Sequence, residues 1–339
     1  MKKINILDYD FDDWLNYFSD KDMSKFRAKQ VFIWLHKKNV FNLQEMTDLP
    51  SNVKEIIAAD FYMPNEAPSL TLKSKIDETE KFLWEFDKNK KAESVFLPYE
   101  KRNTICISSQ SGCSLNCDFC ATGKLKFSGN LSTGEILSQV YMTQKITNKK
   151  ISNVVFMGMG EPFYNYDSVL KAAHILNHDN GQHIGSRKIS ISTSGVLTGI
   201  KKYVENQEPF CLALSVHFLS EEKREKYMDI QSRYALNDII DYLSENRGVF
   251  RNNRLMIEYI MIANENMGKD DAKKLALLAK RLNAKLNIIP FNGNFDDFQQ
   301  PGIEQIDRFS KQIYDYGAMA VNRRSAGEDI SAACGMLAG

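Results

Sequence analysis

The sequence has no apolar stretch approaching the roughly 20 residues that a membrane-spanning helix needs. Its opening, MKKINILDYDFDDWLNYF, has no continuous apolar segment of the kind that directs export. Both absences point to a soluble chain in the cytoplasm. Cysteine is scarce, with six in 339 residues. That is too few for a disulfide scaffold of this size, and three of them lie within eight positions, which fits a reducing compartment. Excess charge is lacking as well. The formal net charge is +1, so any nucleic-acid surface must be local. The basic groups available for one are Lys145/Lys149/Lys150, Arg187/Lys188, Lys201/Lys202, Arg251/Arg254 and Arg323/Arg324. Each taken singly reads as a solvated face. Internal repeats and low-complexity segments are absent.

What is present suffices for a large core, at 43% hydrophobic and 26% charged residues, and suggests one main domain with an accessory piece. Residues 1–65 read as a small helical module: Ser24 can cap a segment carrying Phe26, Phe32, Ile33 and Trp34, and a short helix follows Pro50. Over 66–100 the period changes to two, in SLTLKSKI, KFLWEF and ESVFLP, a β extension. From 101 to 339 strand-like and helix-like runs alternate: ICISS, a helix opened by the Ser132-x-x-Glu135 capping box, NVVFMG, KISIST, CLALSV, LMIEYIMI, LNIIPF and AMAVNR with helices between them. This predicts an α/β protein, a full or partial parallel (β/α) barrel with its site at the C-terminal strand ends.

At the end of the first such strand, QSGCSLNCDFCATG places Cys113, Cys117 and Cys120 in a C-x3-C-x2-C spacing. Thiolates so close in sequence can share one iron–sulfur cluster, and three ligands to a four-iron cubane leave one iron free for a substrate. A structural zinc knot would want a fourth Cys or His nearby. The spacing resembles that of the radical S-adenosylmethionine (SAM) enzymes. One unit later stands Met157-Gly-Met-Gly160-Glu161-Pro162, where two glycines let backbone approach a ligand and Glu161 can take its ammonium group. Ser192 to Gly195, then Ser215, Val216 and His217, end the next two strands, and Asn292 follows NIIPF. Each polar cluster could equally cap the helix behind it. Cys211 and Cys106 lie in apolar strands and read as core. Cys334, in a glycine-flanked tail, reads as reactive. His174 and His178, with His183 nearby, read as surface or partly buried histidines rather than metal ligands.

Taken together, FRAKQVFIWL, AESVFLP, CISSQSGCSLNCDFCATG, FMGMGEP, SISTSG, LALSVH, NIIPFN and VNRRSAGEDISAACGMLAG resemble the RlmN/Cfr family of radical SAM adenosine methyltransferases over essentially the whole chain. The resemblance implies a 4Fe–4S cluster on Cys113, Cys117 and Cys120, and SAM contacts from Gly160, Glu161, Ser192, Ser215, Val216, His217 and Asn292. It makes Cys334 the methyl carrier, Cys106 its resolving partner through a disulfide, and Glu93 the proton acceptor. An adenine ring carbon in an amidine position is not nucleophilic, so a radical route is required. Cys334 would take a methyl from one SAM, a radical from a second would activate that S-methyl group, and the resulting methylene would add to the ring. The implied partners are 23S rRNA at adenosine 2503, adenosine 37 of tRNA as a second candidate, and an external electron donor such as flavodoxin or ferredoxin, with the enzyme a monomer.

Two stretches depart from the family pattern, Met228-Asp-Ile-Gln231-Ser-Arg-Tyr234 and Phe218 after Ser215-Val-His217. Neither is expected to touch the cluster or the two special cysteines. The ending R-R-S-A-G-E-D-I and the segment QSGC resemble the enzymes that methylate carbon 2 of adenine more than those that methylate carbon 8. The rival readings are a radical SAM enzyme acting on a non-RNA substrate, which has no use for a Cys106/Cys334 pair, and a zinc-containing RNA-binding protein.

Overall fold

The computed structural model describes residues 3–64, 67–251, 254–293, 297–323 and 325–338. Arg324 and the expected boundary at 65/66 lie outside the described residues.

Three helices open the chain: α1 (Phe11–Ser19), α2 (Phe26–Phe32) and α3 (Ser51–Asp60). Asp10 and Asp13 form a capping box that starts α1. Ser24 Oγ accepts from Phe26 N at 3.3 Å, just outside the first turn of α2. These helices do not stand apart from the rest. Trp14, Phe18, Phe32 and Leu35 are fully buried and belong to one core that is continuous with the large domain. Buried polar pairs fix the junction. His36 Nδ1 meets Tyr141 Oη at 2.8 Å, Gln182 Nε2 donates to His36 O at 2.9 Å, and Gly134 N donates to Asp8 Oδ1 at 2.7 Å.

One ten-stranded sheet organises the remainder. Its strands in chain order are β1 (Leu70–Lys73), β2 (Glu80–Asp87), β3 (Lys90–Tyr99), β4 (Arg102–Cys106), β5 (Asn153–Phe156), β6 (Ile189–Thr193), β7 (Cys211–Ser215), β8 (Leu255–Met261), β9 (Lys285–Pro290) and β10 (Ala320–Asn322). The first four pair antiparallel in sequence order, and every neighbour pair from β4 to β10 is parallel. Crossovers run through α4 (Thr133–Thr147), α5 (Tyr166–Asn177), α6 (Leu197–Glu205), then α7 (Glu221–Tyr227), α8 (Ile230–Arg233) and α9 (Leu236–Glu245), then α10 (Lys269–Leu282) and α11 (Ile303–Asp315). The Ser132/Glu135 capping box forms as the sequence predicts. The central strands are buried on both faces, which is why CLALS reads as a continuous apolar run rather than an alternation.

The sheet does not close. β1 and β10 remain its two margins, so of the two expected forms it is the partial barrel. The segment after β10 bridges that opening. Asp329 accepts from Ser74 Oγ at 2.7 Å and Lys75 N at 2.8 Å, Asp77 accepts from Gly327 N at 3.0 Å, and Lys81 Nζ donates to Ser331 O at 3.3 Å. Farther along, Ala121 N donates to Gly335 O and Thr122 Oγ1 to Leu337 O, both at 2.7 Å. The tail is therefore pinned along its length, although its glycines suggest freedom.

Candidate active site

A cavity of about 150 Å³ lies at the C-terminal ends of the parallel strands, as the architecture requires. Cys113, Cys117, Cys120, Gly160, Glu161, Ser192, Ser215, His217 and Cys334 all line it. These nine residues come from five separate stretches of sequence.

Each wall has its own local cause. Gly160 has φ +98°, and a Cβ on it would come within 2.5 Å of Gln110 Cβ; one on Gly158 would lie 2.7 Å from Ser108 Oγ. The glycines of MGMGEP are thus required first by packing against the chain following β4, and only through that do they shape the cavity. Glu161 is buried, and its oxygens accept from Phe163 N at 3.0 Å and Ser194 N at 2.7 Å. Desolvation pushes its carboxyl above the usual range against the pull of these bonds. Ser192 Oγ lies 3.1 Å from Ser215 Oγ and donates to Glu258 Oε2 at 3.2 Å, so it is not a helix cap; Thr193 Oγ1 takes that part, accepting from Gly195 N and Val196 N. His217 has φ +57° and accepts on Nδ1 from Ile260 N at 3.1 Å, which leaves the proton on Nε2. Burial, with Arg224 adding to it, lowers its pKa to about 3, so the ring is neutral.

The three cysteines line one wall of the same cavity, the placement that a shared cluster would require. Burial pushes Cys113 up to about 12 and Cys117 well above its ordinary value, so both thiols need a metal or a cation to ionise. Among the described residues no three Cys, His, Asp or Glu side chains are gathered tightly enough for one ion. A cubane does not demand that, because each thiolate takes a different iron.

Cys334 and Cys106 meet in an adjoining cavity of about 90 Å³, which they share with Met157, Gly158 and Arg323. Both thiols are free. Burial raises both, Cys106 to about 12, and each is electrostatically coupled to the Arg323 guanidinium, which opposes the rise. Cys334 has an exposed residue surface and lines both this cavity and the main one.

Other expected residues stand elsewhere. Glu93 lines neither cavity; it pairs with Lys81 at 3.1 Å and accepts from Ala338 N at 3.0 Å, both side chains being nearly buried. Asn292 lines a third cavity, with Cys334, Arg323 and Ser325, and accepts from Ser325 Oγ at 2.6 Å. Val216 is fully buried behind the wall, its amide donating to Glu258 O at 3.0 Å. His174 pairs with Glu208 at 2.7 Å, His183 with Asp179 at 2.9 Å, and His178 packs on Phe11 and Phe32. Cys211 is buried in its strand.

Two expectations need correction. The departures from the family pattern do reach the cluster loop: Met228 pairs with Cys117 in an isolated bridge and lines the main cavity, and Phe218 packs on Phe119 at 5.9 Å. Arg323 is not a solvated surface charge, because it sits between the two special cysteines and Glu258, whose Oε1 is 3.6 Å away. Glu258 was hidden in the apolar run LMIEYIMI, where one charge in a strand buried on both faces was the available signal.

Residues 107–286 match the Radical SAM superfamily, and residues 4–62 match the ribosomal RNA large subunit methyltransferase N-terminal domain. A probable dual-specificity RNA methyltransferase RlmN of Leptospira biflexa is 40% identical over 93% of this chain and 90% of its own length. A like-named protein of Clostridium novyi is 36% identical over 98% and 97%. The crystal structure of a radical SAM methyltransferase from Sphaerobacter thermophilus superposes with a TM-score of 0.91 at 30% identity, covering 98% of this chain and 99% of that one.

Proposed function

Because the chain belongs to the radical SAM superfamily, and within it to the RNA methyltransferases of the RlmN group, we propose that it methylates carbon 2 of an adenine in 23S ribosomal RNA, with transfer RNA as a second substrate. The family works with a 4Fe–4S cluster and SAM. Cys113, Cys117 and Cys120 would hold such a cluster, which would supply the electron that breaks a carbon–sulfur bond of SAM.

The observation that carries the reading is the meeting of the cysteine triplet, Glu161 and Cys334 on one cavity, with Cys106 beside Cys334 in the next. Glu161, a buried carboxylate facing the cavity, receives the SAM ammonium through a charge-assisted bond. Ser192, Ser215 and Glu258 offer a polar floor for its hydroxyls, Gly160 and His217 set the wall, and Val216 backs it from behind. Asn292 contributes from the third cavity, beside Cys334. The Cys334 thiol loses its proton and takes a methyl group from one SAM, which leaves as S-adenosylhomocysteine; a second, cleaved SAM would accept a hydrogen atom from that methyl group, and after addition to the ring, with one electron given back along with the ring proton, the Cys334 sulfur carries the carbon bound to adenine. Glu93 takes the ring proton once the Ala338 amide no longer occupies Oε2. Cys106, having given up its proton, then attacks the Cys334 sulfur: the S–S bond forms, the S–C bond breaks with its electron pair left on carbon, that carbon takes up a proton to become the methyl group, and an external dithiol later reduces the disulfide. The sequence ending R-R-S-A-G-E-D-I and the segment QSGC favour carbon 2 over carbon 8. In the same proposal the helices of residues 1–65 grip the RNA and the β extension of 66–100 leads into the catalytic unit of 101–339. The protein acts in the cytoplasm as a monomer with an external one-electron donor of the flavodoxin or ferredoxin kind.

The test uses Cys106→Ala and Cys334→Ala with SAM, a reductant and an rRNA fragment. Cys106→Ala accumulates a protein–RNA crosslink that maps to Cys334, and Cys334→Ala forms neither crosslink nor product. Nucleoside analysis of the unsubstituted enzyme yields 2-methyladenosine. Normal turnover by Cys106→Ala, or 8-methyladenosine as the product, overturns the corresponding part of the proposal.

A further inference from the structure

Arg224 is among the largest side chains of the protein that are fully buried. It belongs to EEKREKY of α7, where Glu221, Glu222, Glu225 and Lys226 are exposed and Lys223 is half-buried against Glu265. Its Nη1 donates to Ser215 O at 3.3 Å and to Val216 O, and touches Met228 Sδ at 3.3 Å, while Nη2 donates to Ser194 O at 2.6 Å. These carbonyls end β6 and β7, the strands that supply the cavity's serines. Among the described residues no carboxylate pairs with this guanidinium, and its Nε has no hydrogen-bond partner. A buried cation held by neutral dipoles alone is costly, and proteins retain one chiefly where an anion completes it.

The anion is near. Arg224 Nη1 touches Met228 Sδ at 3.3 Å, and Met228 pairs directly with Cys117, so the end of α7 is stitched to the cysteine loop by that bridge and by Asp118 N donating to Tyr227 O at 3.2 Å. Three thiolates around a cubane would bring net negative charge beside this guanidinium, and one-electron reduction would add another unit.

We propose that Arg224 is the internal counter-ion of the cluster: a positioning residue that ties the strand-end carbonyls of the SAM pocket to the Cys117 loop and, by its fixed charge, eases the uptake of the electron. The inference rests on the cluster reading above. Its sign is set by Coulomb's law, since a fixed positive charge beside the cluster favours the reduced, more negative form.

The experiment compares the anaerobically reconstituted full-length protein with Arg224→Lys, which keeps the charge, and Arg224→Gln, which keeps donors and loses it. Iron content is measured, and the midpoint potential is read by dithionite titration followed by electron paramagnetic resonance. In Arg224→Gln the ratio of reduced to oxidised cluster at a fixed poise falls at least tenfold, a shift of about 59 mV to more negative potential for a one-electron couple. Arg224→Lys stays close to the unsubstituted protein. Iron retained by the lysine variant and lost by the glutamine variant supports the same conclusion. Equal potentials in the two variants, or loss of iron from both, overturn it. Absence of iron from the unsubstituted chain instead overturns the cluster reading, so the two failures are distinguishable.

Discussion

Replacing Glu161 by Gln isolates one charge at the centre of the proposed SAM site. The carboxylate has two opposed tasks: it accepts from Phe163 N and Ser194 N, and it faces the cavity where an ammonium group would lie. The substituted amide keeps one acceptor but turns an NH2 toward the other backbone N–H. The lost backbone bond costs about 1–3 kcal/mol. Removal of a buried charge, whose desolvation is the largest influence on this carboxyl, offsets that cost, so the free protein changes little in stability. Nothing offsets the loss of the ammonium contact, a charge-assisted bond worth about 1.5–3 kcal/mol, and SAM affinity should fall about ten- to a hundredfold. Equilibrium titration of SAM into reconstituted protein, with iron content as the control, measures this. The sign with pH follows from the raised carboxyl: the ammonium requires the ionised form, so affinity falls as pH drops through the raised value, and the Glu161→Gln variant loses that dependence. Unchanged affinity at normal iron content would refute the reasoning and leave Glu161 as the residue that orders the turn 162–165 and Ser194.

Cys117→Ala removes one of three proposed protein ligands and should lose iron and SAM cleavage together, read by iron analysis and deoxyadenosine release. Lys81→Met leaves Glu93 unpaired and nearly buried, a loss of about 3–5 kcal/mol of the kind seen when one partner of a buried pair is removed; it should loosen the tail and speed thiol labelling of Cys334. His36 is buried and its pKa is lowered by burial to about 3, so protonation favours the unfolded chain. Its stabilising contribution is complete above the ordinary value near 6.5 and is lost as pH falls toward 3. Melting temperatures from pH 7 to 5 should therefore decline more steeply than in His36→Gln.

The parts of the site that lie close in sequence were legible in it. Cys113, Cys117 and Cys120 declare themselves by spacing, and the strand-end clusters around Glu161, Ser192 and Ser215 by their place in the alternation. Partners that exist only through folding were not legible. Arg224 sits in a helix of charged residues, and only the seam between α7 and the cysteine loop turns it inward. Arg323 reads as half of a basic pair until the tail folds back over it. Glu258 interrupts an apolar strand, and its oxygens acquire meaning only opposite Ser192. The architecture was readable because period-two runs alternate with capped helices. Whether ten strands would close was not, since no local pattern encodes the distance between first and last.

That open margin changes how entry to the chamber is controlled. In a barrel sealed by strands, a hydrogen-bonded ladder would have to break before anything wide could pass. Here the seal between β10 and β1 is a length of irregular chain fastened by side-chain oxygens and a few amides, the same chain that carries Cys334. The seal and Cys334 are thus one piece of chain, so whatever parts the seal also moves Cys334 relative to the other residues that line the main cavity.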